Sequence, residues 1–540
     1  MRFSAIAALA LLFTVPACSP GQSASAATAA PHGYRIAGRV VDSVTGSPVP
    51  RAIVNVLSGD YQGAVASAIT GPDGHFVVDN IPAGKYPLNA SRRGYRSSYY
   101  DEHEGFNSAI VTGAGLITDN FEFRLAPAAV LHGVVTDDGG EPIESAQVML
   151  FKQRGPDAGS HIEQAGSTQT DDTGAYEFAD LPSGEYLVGV SAEPWYAQHR
   201  SIYLGGSSEP SPLDLAYPVT FYDSTIDESS ATPIKLEAGS REEADINLRA
   251  VRAIHFRLPT SEQNGGRFFL QQQIFGNSIP VGHTDQISGG HGLTEITGIA
   301  PGTYEAEVGE PPRHMVLNAS SNQDISLTSG IPTVTVSGTL SLAGGGPLPA
   351  PLAVSLASED GRRNMVVGAE KGHFHFDDVL PGTFTLGATS ADQQLAVVSI
   401  STGATSSGGV VNAGSRFTVG DHSLSLAVTL TRAQINIQGF ARNGTAPAPG
   451  AMIVLVPADP RNFPALVRRD QSDSDGSFEL RGVAPGTYAV IAIQDGWRLD
   501  WQDRRVLVRY LRGGIPVTVS DQSGPVLQLT RAVPAVQRLP

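Results

Sequence analysis

A chain of 540 residues with 60 Gly, 37 Pro and 7% aromatic residues is long enough for several domains, and its short apolar runs between turn clusters exclude a mainly helical fold. The formal net charge is −17 and the 36 basic residues are scattered, so no segment offers the local positive field that a phosphate backbone requires; nucleic acid is excluded as a partner. A single cysteine excludes an internal disulfide framework.

The N-terminus reads as an export signal. Met1-Arg2 precedes the apolar run Ala5 to Val15, which is too short for a membrane span, and the only cysteine, Cys18, follows at once in Val15-Pro16-Ala17-Cys18. This segment resembles a bacterial lipobox. The resemblance implies a signal peptide over residues 1–17, lipidation of Cys18, and a flexible Ser/Ala/Gly-rich tether over 18–33. Ser19 after the cysteine is similar to lipoproteins sent to an outer membrane. The alternative is ordinary cleavage, before Cys18 or within Ala24 to Ala30, giving a periplasmic or secreted protein.

Beyond the tether one pattern recurs five times. A turn glycine is followed ten residues later by the glycine of a Pro-Gly or Pro-x-Gly turn, in the pairs Gly74/Gly84, Gly174/Gly184, Gly292/Gly302, Gly372/Gly382 and Gly476/Gly486. An aromatic residue closes each copy two positions on: Tyr86, Tyr186, Tyr304, Phe384 and Tyr488. Two copies read PDGHFVVDNIPAGKY and SDGSFELRGVAPGTY. The pattern predicts a β-hairpin. The first glycine supplies a positive φ, an alternating strand follows, and a second turn, where proline fixes φ and glycine opens a left-handed position, feeds the next strand. The spacing is constant because one inserted residue would turn Phe76 or Phe478 from core to solvent.

The second glycines lie 80 to 118 residues apart, which is domain-sized and too long for a solenoid repeat. The expectation is five domains like beads on a string: 34–128, 129–251, 252–333, 334–433 and 434–540.

The openings Ile36 to Ala52 and Leu131 to Ala146, each with its downstream hairpin and Pro-x-Gly-x-Tyr, resemble carboxypeptidase regulatory-like domains; the openings at Val336 and Ile437 resemble them less closely, and around Ala253 to Leu258 only the second half of the pattern fits. The resemblance implies an all-β chain of five tandem Greek-key β-sandwiches of the carbohydrate-binding-like fold. Pilin-like and collagen-adhesin B-type domains share the Pro-Gly-x-Tyr signature and often carry Lys-Asn isopeptide bonds formed from a first-strand lysine. No repeat here has a lysine in its first strand.

No enzyme is expected. Among the 13 histidines none begins His-x-x-Glu or His-Glu-x-x-His, and neither a Gly-x-Ser-x-Gly elbow nor a phosphate-binding glycine loop occurs. No catalytic residue, metal ligand set or cofactor is assigned. Asp470, Asp473 and Asp475 lack the carboxylate at the twelfth position of a calcium loop and read as hairpin-turn chemistry; His373 and His375 read as a solvated strand face.

The candidate ligand-binding residues are aromatic. Tyr95, Trp195 and Trp497 come eleven residues after their turn glycines, and Tyr99 and Trp501 follow beside Asp101 and Asp503. Rings next to carboxylates suit sugar, with a flat face for the pyranose and acceptors for its hydroxyls. The alternative is that each ring caps its own core. The functional expectation is a non-catalytic, surface-anchored binding or display protein that contacts carbohydrate or protein; the alternative is a structural spacer or an assembly component of an envelope complex.

Overall fold

A computed structural model describes residues 33–153, 162–199, 211–259, 269–281, 285–289, 293–308, 313–326, 330–359, 363–391, 394–402, 411–413, 415–463, 465–520 and 522–539. Cys18 and Gly292 lie outside the described residues. The chain is almost wholly β, with one short α-helix, Arg504–Val508, among the described residues.

Five groups of strands repeat one topology. In each, the opening strand pairs antiparallel with the strand after the first turn and parallel with a strand near the end of the unit. Tyr34–Asp42 lies between His75–Ile81 and Phe121–Leu125. Ala129–Asp137 lies between Ala175–Leu181 and the pair Arg241–Glu243 and Ile246–Leu248. Ile254–Pro259, Val334–Leu342 and Ile435–Asn443 do the same in the later units. A second sheet covers the first; in the first unit it runs in the order Ala64–Ile69, Ile53–Leu57, Leu88–Arg92, Tyr95–Tyr99. Alternating residues of the two sheets make one core per sandwich, as with Ile36, Val40, Val54, Phe76 and Leu125 in the first.

The opening glycine has a packing cause. Gly38, Gly133, Gly338 and Gly439 face Phe76, Tyr176, Phe374 and Phe478 across the strand pair. A Cβ on Gly338 would come within 2.5 Å of the Phe374 ring and one on Gly439 within 2.8 Å of the Phe478 ring, so the aromatic partner fills the space instead, while at Gly38 a Cβ would meet the Phe121 carbonyl oxygen of the neighbouring strand at 2.3 Å. The third unit exchanges the roles: buried Leu258 faces buried Thr294 at the same register position. Its missing glycine therefore reflects bulk moved from one strand to the other, and its parallel closing pair, Phe256 with Gln323, is present.

The first turn forms as the spacing predicts, with Gly74, Gly174, Gly372 and Gly476 at φ 77, 74, 82 and 81. The second turn corrects the expectation. Gly84, Gly184, Gly302, Gly382 and Gly486 are not left-handed turn residues; each is the first residue of the next strand, as in Gly84–Tyr86 and Gly184–Ser191. Gly184 alone of the five has a positive φ, and at 158° it lies at the extended limit, paired with Leu236 in the sheet. The left-handed residue stands four positions earlier in every unit, at Asn80 (φ 62), Asp180 (φ 59), Gly298 (φ 78), Asp378 (φ 61) and Gly482 (φ 64). There the hairpin strand bulges, with a register shift between Tyr34/Ile36 and its four counterparts. Asn, Asp and Gly are the residues that enter this region cheaply.

The Pro-Gly glycine instead makes room for the aromatic two residues on. A Cβ on Gly486 would meet the Tyr488 ring at 3.1 Å, and the Tyr488 hydroxyl donates back to the Ala484 carbonyl oxygen at 2.8 Å. In the second unit a Cβ on Gly184 would be caught between the Lys152 stem at 3.1 Å and the Tyr186 ring at 3.5 Å. Tyr186 and Tyr304 repeat the fold-back bond, to Pro182 and Ala300.

The sandwiches do not hang as separate beads. The second and third share an apolar joint in which the Phe275 ring lies 5.1 Å from both Phe151 and Phe221. Arg363 of the fourth bonds Glu307 of the third at 2.9 Å, and Ala484 of the fifth packs on Ala396 and Ala433 at its joint with the fourth. The fifth then returns to the first, where Lys85 Nζ lies 2.6 Å from Asp473 Oδ2. The array closes on itself.

Candidate functional site

The returning contact is built from two loops. In the first sandwich the strand Tyr95–Tyr99 runs into a loop in which Asp101, Glu104 and Gly105 have positive φ (53°, 50° and 83°), and this coiled backbone carries His103, Phe106 and Ser108 outward. In the fifth the strand Arg468–Gln471 and its turn present Arg469, Gln471, Ser472 and Asp473. Main-chain bonds join them: Ser474 N–H donates to the Ala109 carbonyl oxygen at 3.0 Å, Ala109 N–H to Asp473 Oδ1 at 2.9 Å and Val111 N–H to Ser474 Oγ at 2.9 Å.

Side chains complete the seam. Arg469 Nη1 donates to Glu104 Oε2 at 2.7 Å, while its guanidinium lies 4.1 Å from the centre of the Trp501 ring. The Gln471 amide bonds Ser108 Oγ at 2.9 Å and the Asp101 carboxylate at 3.2 Å. Burial pushes the Asp101 carboxyl up, opposed by nearby His103 and by the hydroxyl of Ser108. Burial likewise raises Asp473 despite Lys85, and raises Asp470 to about 7, where among the described residues the Asp470 carboxylate is bonded by backbone N–H groups.

The aromatic candidates therefore separate. Trp497 is 8% exposed: its ring stacks on His103 at 5.5 Å and 9°, and its Nε1–H donates to the Gly450 carbonyl oxygen at 3.1 Å. The expectation of an open binding face at Trp497 is corrected: the ring packs into a buried cluster of its own sandwich with Met452, Val454, Ile491 and Leu507, and His103 and Phe106 of the first sandwich cover it further. Trp501 is half-buried under Arg469. Tyr95 turns back on its own sandwich and donates from its hydroxyl to Asp42 Oδ2 at 3.0 Å. Tyr99 meets Tyr61 edge-on at 5.7 Å. Asp503 caps the short helix, accepting from Arg505 N–H at 2.8 Å, and its hydrogen bonds to Arg505 hold its carboxyl below the usual range. Trp195 differs from all of these: it is 84% exposed, with Tyr196 edge-on at 5.5 Å.

Asp475 accepts from Ser477 N–H at 2.9 Å and Asp473 closes the Gly476 turn, as hairpin chemistry requires. His373 and His375 are exposed, and no cluster of three metal-ligating side chains occurs among the described residues. From sequence, the segment Tyr99 to Glu104, His103 included, collects acid and base types and reads as a surface loop; that Arg469 and Gln471 pack against it is not legible there, since no motif links two loops more than 360 residues apart.

Two segments, residues 35–111 and 130–249, match the family described as carboxypeptidase regulatory-like domain. No curated protein matches the chain. Among solved structures it is similar to the Bacillus anthracis TIE protein (10% identity, 90% of this chain and 67% of that one, TM-score 0.16). It is also similar to a Streptococcal ancillary pilin (10%, 74% and 99%, 0.16) and to GBS52, the minor pilin of Streptococcus agalactiae (12%, 41% and 97%, 0.19).

Proposed function

We propose that this chain, whose first two sandwiches match the carboxypeptidase regulatory-like family, is a non-catalytic, surface-anchored binding or display protein that contacts extracellular carbohydrate or protein. The observation that carries the reading is the Trp195 ring, 84% exposed on a described loop while Trp497, at the same distance from its turn glycine, is covered. An exposed indole with a second ring beside it offers a flat apolar face that suits a sugar ring or an apolar protein patch.

Anchoring rests on the lipobox resemblance at Cys18 and belongs to the proposal, as does placement at an outer membrane or cell surface. No helix among the described residues is long and apolar enough to cross a membrane. An extended spacer is a poorer fit, because the contact between the first and fifth sandwiches shortens the reach of the chain.

The test uses intrinsic fluorescence. With Trp497 buried and Trp501 half-buried under Arg469, soluble polysaccharides or a surface protein that bind at Trp195 will shift its emission, and Trp195→Ala will remove the shift together with binding at that loop. Ligands that bind equally well to the Trp195→Ala chain, with no emission change in the native one, would contradict the assignment.

A further inference from the structure

Between the first and fifth sandwiches, beside the seam, lies a cavity of about 350 Å³. Its walls carry Tyr61, Lys85 and Phe106 from the first sandwich and Asp470, Glu479 and Arg481 from the fifth. Neither sandwich forms it alone. The volume falls at the lower end of the roughly 300–1,000 Å³ of small-molecule sites, a size for one or two sugar rings.

The charges in the wall decide what it can take. Each cation is already committed to a carboxylate: Lys85 to Asp473 at 2.6 Å, Arg469 to Glu104 at 2.7 Å and Arg481 to Glu479 at 2.8 Å. A phosphate or carboxylate ligand would have to break one of these pairs. Asp470 has no cation bonded to it among the described residues, and burial raises its carboxyl to about 7, so a protonated form that donates as well as accepts is within reach. Tyr61 and Asn107 share a hydrogen bond at 3.0 Å at the rim, and each keeps further hydrogen-bonding capacity. Phe106, Pro87 and Ala109 supply apolar surface between these groups.

The geometry points to a binding site for an uncharged, polyhydroxylated ligand, a mono- or disaccharide, held between the first and fifth sandwiches. Hydroxyls both donate and accept, which matches a wall of mutually neutralised donors and acceptors, and the C–H face of a pyranose matches Phe106 and Pro87. The site is separate from Trp195. It shares the carbohydrate class of the proposed function without depending on that residue.

The experiment is saturation-transfer NMR on the full mature chain carrying Trp195→Ala, so that any signal comes from elsewhere than the exposed indole. The probes are maltose, cellobiose and lactose, with methylammonium as the charged control, each at about 10 mM to reach weak affinities. At least one disaccharide is expected to bind. Tyr61→Ala, a change at a residue 47% exposed whose loss leaves the core intact, is expected to weaken it by roughly tenfold. Asp470→Leu is expected to abolish binding and Asp470→Asn, which keeps a donor and an acceptor, to retain it. Absence of transfer from every disaccharide overturns the inference, as does binding that neither Tyr61→Ala nor Asp470→Leu weakens. So does a preference for methylammonium. Failure of the Trp195 reading would appear only in the native chain's fluorescence, and so is distinguishable.

Discussion

Trp195 and Trp497 hold the same position counted from their turn glycines and end in opposite surroundings, so position in the loop does not by itself set whether a ring is packed. Trp497 meets His103 and the Gly450 carbonyl oxygen; among the described residues the ring that Trp195 meets is its neighbour Tyr196. Truncating the buried ring removes packing on both sides of the seam. Trp497→Ala is expected to destabilise the fifth sandwich by about 3–5 kcal/mol, and Trp195→Ala to stay within about 0.5 kcal/mol, in urea unfolding of each variant. Equal effects would mean that the two indoles share one environment. The sequence showed the column of rings and could not show this split, because local spacing places a side chain on a loop but does not say what packs against that loop.

At the scale of the element, the ten-residue glycine spacing resolves into two different devices. The first glycine does what the pattern suggests: Gly476 has φ 81, and a Cβ there would come 2.5 Å from the Ala441 carbonyl oxygen. The second is a packing glycine, and the left-handed turn belongs to the bulge residue ahead of it. The strand pattern and the five hairpins were legible because side-chain parity is written in the sequence. The bulge was not, because Asn80, Asp180 and Gly482 share no single residue type. Tyr488→Phe tests the fold-back directly: it leaves the ring and removes the bond to Ala484, with an expected loss of about 1–3 kcal/mol for a buried acceptor left unpaired. Thermal unfolding that matches the native chain would show the hydroxyl to be idle.

For the whole molecule, the joints decide whether five sandwiches act as one body. At the joint of the second and third, His255 is 1% exposed and bonds Asp214 and Glu295 at 2.6 Å each, while Asp214 also bonds His199 at 2.9 Å. Burial alone would lower the His255 pKa, but the two carboxylates raise it overall; burial raises Asp214, yet the two imidazoles bring it to about 2. The signs follow. The His255 contribution is complete below its unfolded value of about 6.5 and is lost as pH rises through the higher folded value; that of Asp214 is complete above about 3.9 and is lost as pH falls towards 2. Calorimetry is expected to show this joint most stable between about pH 4 and 6.5, with a decline above neutrality that His255→Gln flattens. A decline of the same slope in His255→Gln would place the titrating group elsewhere.

Closure of the array is the claim on which the seam, the covered Trp497 and the shared cavity all depend, and zero-length carbodiimide coupling reads it most directly. The chain has four lysines, so the background is small, and Lys85 Nζ sits 2.6 Å from Asp473 Oδ2. The expected result is a Lys85–Asp473 linked peptide pair from monomeric protein, reduced in Trp497→Ala. Monomer that lacks this pair, or yields it only from dimers, would mean that the sandwiches hang in an open string and that the closed arrangement is wrong.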